Sequence, residues 1–160
     1  MQRKYFLAAT ALVVASAAFA GSPHFVRGPN ASMNSQNGNV TVTWKEAGLG
    51  DTVMVDYEAS ADGTARYQCV NRGGKCPQAA NKQDVNGPVL ARGSFASGKN
   101  GAINGSLTFE PPAGTLNCPG GQVLKMVSAS FSDIALADLT NGVAAGASPS
   151  ALSQAGPECP

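Results

Sequence analysis

Asn-Gly recurs at Asn37, Asn86, Asn100, Asn104 and Asn141, and Asp62-Gly63 adds a sixth pair of the same kind. Such pairs readily take the positive φ angles that two-residue hairpin turns require, so a chain punctuated this often is steered towards short strands that double back. The residues between them alternate. Val40, Val42 and Trp44 interleave with Thr41, Thr43 and Lys45, and Val53, Val55, Tyr57 and Ala59 with Met54, Asp56, Glu58 and Ser60. Period two with one apolar face is the pattern of a half-buried strand. The pattern predicts a hairpin turning at Asp62-Gly63 and returning through Ala65, Tyr67 and Cys69, with Tyr57, Tyr67 and Cys69 inward. A second hairpin is predicted from Val89–Ser97, turning near Asn100-Gly101 and returning through Ile103, Leu107 and Phe109, with a bulge at Asn104-Gly105.

The apolar-rich stretch Gln122–Leu139 has a helix as its competing reading. Its β-branched residues and flanking Gly-Gly and Asn-Gly favour strand, with a break near Ser132-Asp133. No long amphipathic helix is legible anywhere. Some seven short strands point to an all-β fold, a two-sheet antiparallel sandwich of immunoglobulin-like type stapled by two disulfides, with a small barrel as the alternative. The sandwich is expected over residues 21–145, and residues 146–160 as a small-residue tail tied by Cys159.

The first residues predict export. Met-Gln-Arg-Lys is followed by an apolar run through Ala15 and by Ala18-Phe19-Ala20, the three parts of a secretory signal peptide over residues 1–20. The run is short of the roughly 20 apolar residues a spanning helix needs. The expectation is therefore a secreted, extracellular protein without membrane insertion. Cleavage after Ala20 leaves 9 basic against 10 acidic residues, which gives no electrostatic reason to expect nucleic acid or an anionic membrane as partner.

Few chemistries fit the residues present. His24 is the only histidine, so a Ser-His-Asp triad would depend on it as base, and a two-histidine copper site is excluded; an N-terminal edge strand is its expected place. Asp56 and Glu58 share a strand face about 7 Å apart, inside the inverting-glycosidase range. Paired acids on a solvent-facing strand are also ordinary, which makes hydrolysis the weaker reading. Asp51, Asp56, Glu58 and Asp62 lack the contiguous array of a calcium loop. Three glycosylation sequons begin at Asn30, Asn39 and Asn104, relevant only in a eukaryotic secretory pathway. No catalytic residue, metal or cofactor is assigned.

The four cysteines, Cys69, Cys76, Cys118 and Cys159, are spaced too widely for a four-thiolate zinc site and suit disulfides in an oxidising compartment. Pairing Cys69 with Cys118 would staple the two sheets, leaving Cys76 to hold the tail through Cys159. The alternative pairs Cys69 with Cys76 and Cys118 with Cys159. The first arrangement turns Cys69–Pro77 into a Gly-Gly turn anchored at both ends, a candidate binding loop displaying Asn71, Arg72, Lys75, Asn81 and Lys82.

The runs S-P-H-F-V, E-A-G-L-G-D, C-V-N-R-G-G-K-C-P-Q-A-A-N-K and C-P-G-G-Q together resemble a group of small, uncharacterised secreted microbial β proteins. The resemblance spans most of residues 21–160 and implies a compact secreted β domain with no assigned activity. The expected role is non-enzymatic, in extracellular or surface interaction with a protein or glycan partner. A carbohydrate-binding alternative would use the loop together with Tyr57 or Trp44, and a hydrolase would use Asp56 and Glu58.

Overall fold

The computed structural model describes residues 21–78 and 80–160; residues 1–20, where the signal peptide is expected, and Ala79 lie outside the described residues. The described chain forms eight strands and no helix. One sheet orders β1 (His24–Met33), β2 (Val40–Ala47) and β5 (Ile103–Phe109) side by side. The other orders β4 (Lys82–Ala96), β3 (Met54–Asn71) and β6 (Gln122–Asp138), and β6 then pairs with both β7 (Val143–Gly146) and β8 (Leu152–Ala155). All strand pairings are antiparallel. The second strand pairs with the fifth in one sheet and the third with the sixth in the other, the interlock of an immunoglobulin-like sandwich. Two distinct sheets replace the barrel alternative, and Gln122–Asp138 is strand rather than helix.

The six turn-like dipeptides divide into two sets. Gly38, Gly101 and Gly142 have positive φ and lie in turns, as predicted for such pairs. Asp62-Gly63, Asn86-Gly87 and Asn104-Gly105 lie inside strands. The predicted hairpin at Asp62 is therefore one strand of 18 residues, with Gly63 between Gly87 of β4 and Phe131 of β6. A glycine is required there because a Cβ would stand 2.9 Å from Pro112 Cδ. The predicted bulge at Asn104-Gly105 is also absent, since Asn104 and Gly105 face Lys45 and Trp44 in unbroken register. Trp44 lies flat over that glycine, and a Cβ would meet its Cζ2 at 2.3 Å. The turn at Asn100-Gly101 exists, but it carries the chain from one sheet to the other, so β4 and β5 are not a hairpin. The break at Ser132-Asp133 is a bulge, with Asp133 at φ 53°.

The alternation fixes the core. Val40, Val42 and Trp44 of β2 meet Val55, Tyr57 and Ala59 of β3, with Leu107 and Phe109 of β5 against Phe131 and Leu136 of β6. Trp44 packs on Tyr57 at 4.8 Å and on Phe95 at 5.3 Å between ring centroids. Each large apolar side chain buried this way contributes about 1.5–3 kcal/mol.

The two sheets differ in length, and this positions the candidate site. Strands β3, β4 and β6 run for 18, 15 and 17 residues, whereas β1, β2 and β5 run for 10, 8 and 7. One end of the long sheet therefore overhangs the short one, and other segments cover it there on both faces. Residues 110–121 cover the inner face. Tyr67 donates its hydroxyl to the Pro112 carbonyl at 2.7 Å, Gln83 accepts from the Thr115 and Leu116 amides at 2.9 Å, and Cys69 bonds Cys118. The last residues cover the outer face. Gln68 accepts from the Cys159 amide at 2.8 Å and donates to Pro157, and Cys76 bonds Cys159. Both disulfides join the cysteines of the first predicted arrangement. Cys69–Cys118, however, ties a coil to the long sheet and does not cross-link the sheets: β3 outlasts the short sheet before it reaches Cys69. Within residues 146–160, expected to be a tail, Leu152–Ala155 pairs with β6 and Ala147 is buried.

Candidate functional site

The predicted loop leaves β3 at Asn71 and rejoins at β4. Asn71 and Lys75 close a tight turn, with Asn71 N–H donating to Lys75 O at 2.9 Å and Gly74 N–H to Asn71 O at 2.7 Å. Gly74 takes φ 75°, a conformation that glycine adopts without steric cost. The Cys69 amide donates to Asn81 O at 2.9 Å and brings the two strand ends together. Asn71, Arg72, Lys75, Asn81 and Lys82 are all exposed.

Register brings one further cation to these. Gln68 lies opposite Lys82 on β4 and opposite Lys125 on β6, so both lysines flank the strand on which the last residues sit. Cys76 is bonded to Cys159 with Cα atoms 5.3 Å apart, which sets the neighbouring Lys75 above the same face. Among the described residues no carboxylate lies within 4 Å of Arg72, Lys75, Lys82 or Lys125. Arg66 differs. It donates to Asp84 at 2.6 Å and to Glu158 at 2.9 Å, which raises its own affinity for the proton and holds the Asp84 carboxyl below its usual range.

A concavity of about 500 Å³ opens beside this end. Gln36, Asn37 and Asn39 of the β1–β2 turn, Glu110 and Pro111 of the crossing coil, and Met126 of β6 line it. Its sequence signal was weak, because these residues lie on three separate segments.

The remaining candidates fall elsewhere. Asp56 and Glu58 sit on the outer face of the long sheet, as alternation requires, but each has a cross-strand partner. Glu58 accepts from Arg92 Nε at 2.6 Å, and Asp56 accepts from the Ser94 hydroxyl. Asp51 accepts from Thr52 at 2.7 Å, and among the described residues Asp51, Asp56, Glu58 and Asp62 do not gather round one point. His24 is exposed on the edge strand β1. Trp44 and Tyr57 are buried, which removes the version of glycan binding that relied on them. Inward alternation decided their fate: both lie on the parity that meets the opposite sheet.

Two further acids, outside the candidates expected from sequence, lie in the core. Glu46 is 0 % exposed and Asp138 1 % exposed. Glu46 accepts from the Tyr57 hydroxyl at 2.7 Å, while Asp138 accepts from the Thr140 and Asn141 amides at 2.8 and 2.9 Å. Burial pushes the Glu46 carboxyl above its ordinary range; the Tyr57 hydrogen bond opposes this and the Asp138 charge adds to it. Burial and the bond to Glu46 push the Tyr57 hydroxyl up as well. The signal was available, because Glu46 has the same parity on β2 as Val40, Val42 and Trp44.

The chain matches no protein-family model, no curated protein and no solved structure.

Proposed function

We propose that the protein is exported and acts outside the cell as a non-enzymatic recognition protein, with the overhanging end of its long sheet as the contact surface. One observation carries this reading. Two disulfides clamp irregular segments onto opposite faces of the same sheet end, and the loop held there by Cys76 displays Arg72, Lys75 and the flanking amides to solvent. A fixed loop on a rigid scaffold loses little conformational freedom on binding. The acids favour recognition over hydrolysis. Asp56 and Glu58 are held by Ser94 and Arg92, and Glu46 and Asp138 are enclosed by the core.

The test places a photo-crosslinking amino acid at Gln78 or, as control, at Asn104 on β5, and irradiates each protein in the culture that produces it. Adducts from position 78 and none from position 104 are expected. Adducts from position 104 alone would move the contact surface away from the clamped end. Hydrolysis of a panel of polysaccharides that disappears in the Asp56→Asn, Glu58→Gln double variant would overturn the non-enzymatic reading.

A further inference from the structure

We infer that the clamped end binds an acidic polysaccharide, an extended chain bearing carboxylate or sulfate groups; this deepens the proposed recognition role and rests on it. The formal charge of the described chain is polarised. Arg66, Arg72, Lys75, Lys82 and Lys125 share this end with Asp84, Glu158 and Glu110, which lines the concavity beside Lys125, whereas the other four cations, Arg27, Lys45, Arg92 and Lys99, stand against seven acids. Arg66 answers Asp84 and Glu158, and among the described residues Arg72, Lys75, Lys82 and Lys125 have no carboxylate within 4 Å, Glu110 included.

The placement of those four cations selects the shape of the partner. Lys82 and Lys125 are separated by one strand, a gap of about 10 Å. Arg72 and Lys75 stand on the loop above, so the charges are spread along a surface rather than converging on one point. A small anion would be held by one cation at a time, whereas a polyanion engages all four. Asn71, Gln78 and Asn81 are exposed between the cations and offer both donors and acceptors to hydroxyl groups. The loop from 71 to 82 contains no aromatic or large aliphatic side chain. It therefore has nothing to insert into a bilayer interface and no ring on which a base would stack.

The experiment measures binding of the disulfide-intact protein to immobilised polygalacturonate, heparin and neutral dextran at ionic strengths of about 0.01 and 0.15 M, where the screening length falls from about 30 to about 8 Å. Binding to at least one acidic polysaccharide, none to dextran, and weakening with salt are expected. The Arg72→Gln, Lys75→Gln and Lys82→Gln, Lys125→Gln double variants should each weaken it, by about two- to fivefold for each charge removed. Arg27→Gln, Lys99→Gln removes the same formal charge away from the site and should leave binding unchanged. No binding to either acidic polysaccharide would overturn the inference, as would equal losses in the control variant. Equal or tighter binding to duplex DNA or to phosphatidylserine vesicles would overturn it in favour of a different polyanion. Position-78 crosslinks to a neutral glycan or a protein would keep the recognition role and remove only this choice of partner.

Discussion

Removing the Cys69–Cys118 bond by a Cys69→Ala, Cys118→Ala double substitution should weaken the fold without abolishing it. The bond closes a sequence separation of 49 residues. In the chain-entropy model such a closure removes about 14 cal/mol/K from the unfolded ensemble, or about 4 kcal/mol at 25 °C. The core of Val40, Val42, Trp44, Tyr57, Phe109 and Leu136 lies beyond the overhang and keeps its contacts. The crossing coil also keeps the Tyr67–Pro112 and Gln83–Thr115 hydrogen bonds. A domain near 140 residues has an unfolding entropy of about 0.3 kcal/mol/K, so the loss corresponds to a fall in Tm of about 14 °C. Thermal unfolding followed by circular dichroism and calorimetry would measure it. A cooperative transition with an unchanged β spectrum and a Tm lowered by about that amount is expected. A Tm within about 3 °C of the parent, below 1 kcal/mol by the same conversion, would refute the claim that this closure stabilises the fold. An unfolded variant would refute the claim that the sandwich stands without it.

Three further outcomes follow from the core and the strands. Glu46 holds its proton more tightly in the folded than in the unfolded chain, so its contribution to stability is fully present below the unfolded carboxyl pKa of about 4.3 and is lost as pH rises through the folded value. Urea midpoints measured from acid to neutral pH should fall over that window, and Glu46→Gln should flatten the fall; an unchanged slope would show that Glu46 is not its source. Gly105→Ala drives a Cβ into the Trp44 ring and should cost about 1–3 kcal/mol or more, because the ring must leave its place. Gly87→Ala, with nothing within 4 Å of its Cβ, should change stability by about 0.5 kcal/mol at most; equal urea midpoints for the two alanine variants would contradict the packing argument.

The strand faces were legible because alternation is a local property. Val40, Val42, Trp44, Val55, Tyr57 and Ala59 are buried where the pattern places them, and Asp56 and Glu58 face outward with the same regularity. Strand lengths were not legible. Asp62-Gly63 and Asn86-Gly87 carry the residues of a turn, yet each lies within a strand, and it is Pro112 from a distant coil that requires the glycine at 63. Gly105 likewise answers the ring of Trp44 from the adjacent strand. Local chemistry specifies what a dipeptide can do, and neighbours distant in sequence decide which use prevails. The same limit applies to the site. The exposed loop was visible in the Cys-to-Cys run, but Lys125 joins it only through the register of β6 with β3. The tail that crosses Gln68 could not be placed from composition, since only Cys159 marked it as anchored.

The most direct test is a hydrogen-exchange footprint of the disulfide-intact protein with and without the acidic polysaccharide, polygalacturonate or heparin, that it retains. Slowed exchange is expected at backbone amides of Asn71–Lys82 and around Lys125, with the β1–β2–β5 sheet unchanged. Slowing confined to the short sheet, or to the outer face around Asp56 and Glu58, would contradict it.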